Sequence, residues 1–279
     1  MLDYSVINFD AVWRTTLGWN NPDKSGRKFD DEIEQRFWDK LAPRYTAEYN
    51  LNSDTPLLQE KLLAIIGKGN SILEIGPGSG NFTIPMARQA AKILALDFSA
   101  AMLKELAQRL QQANFVNVSL QQGKWEDFFT KERYDYIVSV NSLYRIADME
   151  AAIRKMYKYC NKGIVLIRTI QRPFLYSAYK KVGLQPQECL DYQLLPILFW
   201  RCGIQADVEF VNYQKTNNYT GEAQLLKIMQ DELGAEEYMQ YKNELLNLMR
   251  QNFVPCEQGF ALSQPRCSVI ITAYKNRLL

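Results

Sequence analysis

Residues 72–80 read Ile-Leu-Glu-Ile-Gly-Pro-Gly-Ser-Gly, and this stretch decides the fold. It begins as an apolar strand, carries the carboxylate of Glu74, and runs into a loop with glycine at positions 76, 78 and 80. A helical pattern and a second apolar strand follow, and that strand ends in Asp97. Glycine has no Cβ, so a ligand can lie against the loop backbone. Because ligands of open α/β sheets bind at the carboxyl ends of strands, the unit predicts a site for a nucleoside-like ligand.

The glycine spacing indicates which ligand this is. A dinucleotide fingerprint reads G-x-G-x-x-G, whereas the third glycine here comes one residue early and Asn81 occupies the expected position. The carboxylate of Glu74 would repel a pyrophosphate, and it suits an ammonium group. The loop therefore favours a ligand with an amino group, a ribose and no phosphate, such as S-adenosylmethionine. A nucleotide-dependent oxidoreductase is the less favoured alternative.

The pattern E-x-G-x-G-x-G, with an acid at the next strand end, resembles the class I S-adenosylmethionine-dependent methyltransferases. Residues 97–103 and 134–146 resemble later segments of that family, and residues 37–45 resemble the N-terminal segment of its small-molecule members. The resemblance implies methyl transfer from S-adenosylmethionine to a small-molecule acceptor by in-line displacement. A non-catalytic protein that binds S-adenosylmethionine is the other alternative.

The predicted fold is α/β, because continuous apolar strands alternate with helical patterns. The resemblance implies a Rossmann-like sheet of seven mostly parallel strands, with helices on both faces. We expect an N-terminal helical cap at 1–50, a cofactor-binding core at 51–215, a helical insertion at 216–265 and a final strand within 266–279. The cap, the loop at 141–145 and the late helices at 188–202 and 216–265 are expected to enclose the acceptor.

The resemblance also assigns the residues that hold the cofactor. Around the glycine loop they are Glu74, Gly76, Gly78, Gly80, Asp97 and Phe98. Glu74 would accept from the ammonium group, and Asp97 would accept from both ribose hydroxyls. Two structural alternatives stand beside these roles. Glu74 could satisfy N–H groups of the loop, and Asp97 could cap the next helix, although Ser99 could also take the capping role.

The adenine side of the site departs from the family pattern. Lys124 stands where an acid is commonest, so Glu126 or Asp127 would have to take its place. Trp125 could lie on the adenine plane. The alternative places Trp125 in the core and uses the two acids to cap a short helix.

The loop after the fourth strand supplies the candidate catalytic residues. Tyr144 would orient the acceptor, and Asn141 would hold it or contact the cofactor. Arg145 is interpreted as a solvated surface charge. Tyr45 would close over the methionine end of the cofactor, with ordinary packing as the alternative.

The sequence contains no histidine, which excludes a Ser-His-Asp or Cys-His nucleophile and any imidazole base or ligand. Catalysis is therefore expected to rest mainly on positioning, and no metal site is predicted.

Composition is that of an ordinary globular protein. The 279 residues are 47% hydrophobic and 23% charged, and the 33 basic and 31 acidic residues give a net charge of +2. No basic patch is visible, so we expect no nucleic-acid partner. Five cysteines without a C-x-x-C pair, and an N-terminus without the apolar segment of a signal peptide, predict a cytoplasmic protein with no membrane partner. The acceptor and the oligomeric state are left open.

Overall fold

A computed structural model describes residues 7–17, 29–49, 55–170, 173, 175–185 and 189–275, and for 44–49 and 55 it describes the backbone only. The helices are α1 (Phe9–Thr16), α2 (Asp31–Tyr49), α3 (Thr55–Ile66), α4 (Thr83–Ala87), α5 (Ala100–Gln112), α6 (Met149–Tyr159), α7 (Tyr176–Lys181), α8 (Asp191–Arg201), α9 (Glu222–Glu232) and α10 (Ala235–Arg250). The strands are β1 (Ser71–Ile75), β2 (Lys92–Asp97), β3 (Val118–Gln122), β4 (Tyr134–Val140), β5 (Cys160–Thr169), β6 (Asp207–Tyr219), β7 (Val254–Cys256) and β8 (Gly259–Tyr274). None of the described helices has both the length and the apolar character needed to cross a membrane.

One sheet runs through the molecule in the order β3-β2-β1-β4-β5-β8-β6. Strands β1 to β5 are parallel, and β8 runs antiparallel between β5 and β6. This confirms the predicted Rossmann-like sheet, to which the short β7 adds an eighth strand paired with β8. The strand order reverses between β1 and β4, and a crevice opens at such a point beyond the carboxyl ends of the strands.

Both faces of the sheet are buried, as parallel strands require. Leu73, Ile137 and Leu166 are fully buried in one core, together with residues of α1, α6 and α8. The neighbouring Ile72 and Val138 point to the other face and pack in a second core, with residues of α3. The alternation explains why the strands read as continuous apolar runs.

The N-terminal segment was predicted to be a helical cap, and its described part contains the two helices α1 and α2. Asn8 caps α1, because its side-chain oxygen accepts from the N–H of Ala11 at 3.0 Å. The indole of Trp13 is buried and donates to the carbonyl of Ile146 at 2.8 Å, which joins α1 to the segment after β4. Asp30 accepts from two N–H groups of the first turn of α2 and so starts that helix.

The late part of the chain forms a separate lobe. β6 and β8 pair from Asp207 to Tyr219, whereas β5 reaches only the last seven residues of β8. The rest of the hairpin extends past the sheet as a ribbon. The ribbon packs with α7, α9 and α10 in a third core built on Leu175, Tyr179, Leu225, Met229, Leu245, Met249 and Leu262.

The helical insertion was predicted correctly in kind, since α9 and α10 lie between the last two long strands. Its predicted limits at 216 and 265 are wrong, because both positions fall inside continuous strands. The hairpin ladder continues past Thr216 and Pro265, which the sequence pattern does not mark as strand.

A buried ion pair ties α8 to the sheet. Arg168 in β5 donates to Asp191, the first residue of α8, and both side chains are at most 3% exposed. Removing one member of such a pair leaves the other charge buried without compensation.

We therefore expect Asp191→Ala to lower the free energy of unfolding by about 3–5 kcal/mol, measured by denaturant titration. Asp231→Ala, in the exposed pair with Lys227, is the control and should change it by less than about 0.5 kcal/mol. An equal, small loss in both variants would show that the buried pair contributes nothing.

Candidate functional site

A cavity of about 730 Å³ opens at the carboxyl edge of β1, β2 and β4. Five segments line it, namely 29–38, 74–82, 96–102, 123–126 and 140–148. No described residue after 148 takes part, so the expectation that the late helices enclose the site is wrong. Their apolar residues are used in the third core and in the packing of α8 on the sheet.

The three glycines of the loop have different roles. A Cβ on Gly76 would lie 2.2 Å from the Cβ of Ser142, and one on Gly80 would lie 2.4 Å from Leu106. Gly78 has a φ of +57° and faces open space in the cavity. Ligand approach was predicted to explain all three, but internal packing explains two of them and leaves Gly78 as the residue open to a ligand.

Asp97 organises this loop from the end of β2. Its carboxylate accepts from the N–H of Gly78 at 3.0 Å and from that of Ser99 at 2.8 Å. Burial raises the pKa of the Asp97 carboxyl, and these N–H groups oppose the shift. Ser99 caps α5 by accepting from the N–H of Met102. The capping alternative for Asp97 is therefore wrong, and its carboxylate is left at the cavity wall.

Glu74 is a buried carboxylate in the same wall, 2% exposed. Its Oε2 accepts from the hydroxyl of Thr83 at 2.6 Å. Burial raises the pKa of Glu74 to about 8, against the opposing hydrogen bond of Thr83, and the charge of Asp97 adds to the rise. No described basic side chain forms an ion pair with Glu74. Among the described residues, no positive charge at this point stabilises the ionised form of Glu74.

An ion-pair cluster closes the far side of the cavity. Asp31 of α2 accepts from both Lys124 and Arg145, and the Lys124 ammonium lowers the pKa of the Asp31 carboxyl, with Arg145 contributing. Arg145 lies 5.0 Å from the ring centre of Phe98, and its side chain is only 16% exposed. The interpretation of Arg145 as a solvated charge is therefore wrong. Lys124 departs from the family pattern because it holds α2.

The ring of Trp125 lies in the core, 3% exposed, stacked on Phe128 at 5.8 Å. The Nζ of Lys155 lies 4.8 Å from the indole and donates to the carbonyls of Trp125 and Glu126. This is the core placement that the sequence left open, and it disfavours adenine stacking on Trp125. Glu126 lines the cavity with an exposed side chain, and the adjacent Asp127 is exposed as well.

Asn141 serves the architecture of the loop. It adopts a left-handed φ of +55°, a conformation that Asn tolerates. Its Nδ2 donates to the hydroxyl of Thr169 at 3.1 Å, and its Oδ1 accepts from the N–H of Thr169 at 2.8 Å. The amide is engaged at both ends, which speaks against a role in holding the acceptor. The side chain of Tyr45 lies outside the described residues.

Tyr144 meets a residue that the sequence analysis missed. Its hydroxyl donates to Oε1 of Glu34 in α2, which also accepts from the indole N–H of Trp38 at 2.7 Å. That N–H lies 3.3 Å from the Tyr144 hydroxyl, and all three residues line the cavity. Glu34 is fully buried. The sequence gives no sign that Glu34 belongs to the site, because acidic residues are common in the first turns of a helix and its partner Tyr144 lies 110 positions away.

These residues fit S-adenosylmethionine. Three residues that line the cavity each carry a buried side-chain atom without a hydrogen-bond partner among the described residues, namely Ser79 Oγ, Trp125 Nε1 and Arg145 Nε. All three atoms are hydrogen-bond donors, and the ring nitrogens of adenine are acceptors. Glu74 supplies the negative charge for an ammonium group, and Gly78 supplies open backbone.

Residues 66–232, more than half of the chain, match the model of the family described as a methyltransferase domain. The solved structure of the YcgJ protein from Bacillus subtilis superposes with a TM-score of 0.52 at 14% identity, covering 78% of this chain and 97% of that one. That likeness shows a shared fold.

Three relatives align over shorter stretches. A Haemophilus influenzae protein is 27% identical over 176 residues, which cover 62% of this chain and 65% of the relative. The ribosomal RNA small subunit methyltransferase A of Mycoplasmopsis synoviae is 27% identical over 107 residues, 36% of this chain and 38% of the relative. The ubiquinone biosynthesis O-methyltransferase of Azorhizobium caulinodans is 28% identical over 118 residues, 42% and 46% of the two chains. The chain spans less than two thirds of the length of each relative.

The raised pKa of Glu74 predicts proton release on ligand binding. Without ligand the carboxyl keeps its proton up to about pH 8, whereas an ammonium group at the cavity wall favours the ionised form. At about pH 6.5 we therefore expect S-adenosylhomocysteine to release close to one proton. Calorimetry in two buffers of different ionisation enthalpy measures this number.

Glu74→Gln is the matched variant, because it keeps the size of the side chain and has no proton to release. Identical heats in the two buffers for the unaltered protein would contradict the prediction. The raised pKa of Glu74 also makes the stability of the ligand-free protein depend on pH. The folded chain holds this proton more tightly than the unfolded chain, so the ligand-free protein loses stability as the pH rises from 4.5 towards 8.

Proposed function

The chain belongs to the methyltransferase domain family as a class I S-adenosylmethionine-dependent methyltransferase, and we propose that the whole protein methylates a small-molecule acceptor. S-adenosylmethionine, when bound, supplies a methyl group on a positively charged sulfur. The sequence left open a non-catalytic protein that only binds S-adenosylmethionine. A second set of polar side chains at the cavity, around Tyr144, disfavours this alternative. A cytoplasmic location is part of the same proposal.

The placement of α2 is the observation that carries the proposal of a small acceptor. Helix α2 lies along the cavity, held at Asp31 by Lys124 and Arg145 and at Glu34 by Tyr144. The space between α2 and the loop after β4 falls within a cavity of about 730 Å³, a volume typical of small-molecule pockets. Because α2 forms one wall of this space, the pocket favours an acceptor small enough to lie between the helix and the loop.

The charge of the chain supports the same choice. RNA-binding proteins carry clustered basic residues that neutralise phosphates, and their binding constant for RNA therefore falls as the salt concentration rises. Here the net charge is +2, and the basic residues at the cavity edge, Lys124 and Arg145, are paired with Asp31. One relative is named for ribosomal RNA, so RNA is the competing acceptor in the experiment below.

The residues at the site act chiefly by positioning. Glu74, Asp97 and Gly78 would fix the amino acid and ribose ends of the cofactor, and Tyr144 would contact the acceptor at the switch point of the sheet. Orientation of two reactants can supply about 7–11 kcal/mol of a displacement barrier. The chain therefore needs no histidine for the larger part of its rate enhancement.

The direct test uses S-adenosylmethionine that carries a radioactive methyl group. The protein is incubated with the low-mass fraction of a cell extract, with total RNA and with total protein from the same extract. We expect the label to enter the low-mass fraction. Label that enters RNA or protein instead would overturn the small-molecule proposal and would identify the class of the true acceptor.

Asp97→Ala tests the cofactor end of the site. Hydrogen bonds to a charged acceptor are worth about 1.5–3 kcal/mol each, and water replaces part of them. We expect a loss of about 2–4 kcal/mol, or roughly 30- to 1000-fold in the dissociation constant of S-adenosylhomocysteine, by calorimetry. Because Asp97 also holds Gly78, the loop is loosened by the same change.

Asp231→Ala, which removes an exposed acid of α9 that does not line the cavity, is the control and should bind as the unaltered protein does. Unchanged affinity in Asp97→Ala would remove Asp97 from the cofactor site.

A further inference from the structure

We propose that Glu34 is the general base of the methyl transfer, and that the acceptor therefore presents a neutral hydroxyl or amino group. The proposal rests on the proposed function and adds to it the chemical class of the acceptor. Its geometric basis is the contact of Glu34 with Tyr144, which joins helix α2 to the loop after β4.

Glu34 has the placement that a base requires. It is fully buried, it lines the cavity, and its Oε1 accepts from the Tyr144 hydroxyl and from the Trp38 indole at 2.7 Å. A carboxyl oxygen on which two donors converge is presented as an acceptor, the form in which a base takes up a proton. Tyr144 lies between Glu34 and the switch point, so its hydroxyl can pass a proton to the carboxylate.

Two other carboxylates at the cavity, Asp97 and Glu74, are less suited to this role. Asp97 accepts from the N–H groups of Gly78 and Ser99 at the end of β2. Glu74 lies beside the glycine loop, where it suits an ammonium group. Glu34 alone among these three comes from outside the sheet, and it reaches the loop after β4, where the acceptor is proposed to lie. Because the sequence contains no histidine, a carboxylate is the natural base to consider here.

The proton inventory of the step is complete. The acceptor's lone pair forms a bond to the methyl carbon, and the carbon–sulfur bond breaks with its electron pair going to sulfur. The acceptor's proton passes to the oxygen of Tyr144 while Tyr144 gives its own proton to Glu34. Glu34 ends the step neutral and returns the proton to solvent, so no further reactant is needed.

The test compares two acceptors that share a ring and differ in the reacting atom. Phenol keeps its proton at neutral pH, whereas thiophenol is largely ionised and needs no base. Glu34→Gln keeps the size of the side chain and an oxygen that can accept from Tyr144 and Trp38. We expect it to lower methyl transfer to phenol by about 10²- to 10⁴-fold and to leave transfer to thiophenol within about threefold.

A double variant separates a relay from two independent effects. If the proton passes through Tyr144 to Glu34, the combination of Glu34→Gln with Tyr144→Phe should be no slower on phenol than the slower single variant. If the two residues acted independently, the fold-losses in the rate on phenol of the two single variants would multiply. Glu34→Asp should recover part of the lost rate, because it restores a carboxylate on a shorter side chain.

Binding measurements exclude a merely structural role for Glu34. The affinity for S-adenosylhomocysteine should stay within about threefold in Glu34→Gln, and the thermal midpoint should match that of Glu32→Gln, an exposed control on the same helix. Equal loss of transfer to phenol and to thiophenol, or a loss of cofactor affinity, would assign Glu34 to holding α2 and overturn the proposal. Failure of the unaltered protein to methylate phenol would overturn it as well, while label in the low-mass fraction of the extract would leave the proposed function standing.

Discussion

The loops that follow β1 and β4 touch at Gly76 and Ser142, and the site depends on this contact. Ser142 donates to the carbonyl of Ile75 at 2.6 Å and shares a hydrogen bond of the same length with Ser139. A side chain at position 76 would collide with Ser142 and push the loops apart. Because the strand order reverses between β1 and β4, this contact lies at the floor of the crevice. The loops after β1 and β4 are therefore set against each other before any ligand binds.

Electrostatics adds a second constraint. The cavity is lined by the buried carboxylates of Glu74 and Glu34 and by the half-buried carboxylate of Asp97, and each comes from a different element. Burial disfavours the charged form of a carboxyl group, which is why the pKa of Glu74 rises to about 8. A ligand that brings one positive charge relieves this cost at Glu74, whereas an anionic ligand would increase it. The same arrangement that destabilises the ligand-free protein at high pH thus selects a cationic ligand.

The late lobe shows how one sequence feature supports two structures. The stretch after 170 is rich in apolar residues, a composition that suits the wall of a pocket as well as the core of a lobe. In the structure, Leu175, Tyr179 and Leu245 pack with one another beyond the end of the sheet, and the cavity is closed by α2 instead. Apolar composition indicates that a segment will be buried, but it does not indicate against what. The partner of a buried face is decided by where the β6–β8 ribbon leads the chain.

The sequence by itself determined the parts of this protein that depend on local order. Strand ends, the glycine loop and the positions of Glu74 and Asp97 follow from periodicity and spacing, which predicted an α/β fold and a ligand such as S-adenosylmethionine. The family resemblance added the Rossmann-like sheet. Only the tertiary structure decided which residues of α2 face the loop after β4 across the cavity. Glu34 meets Tyr144 across 110 positions, and Asp31 meets Arg145 across 114, so no local pattern contains either pair. The packing of α2 on α5 brings them together, so that the acidic start of α2 becomes one wall of the cavity.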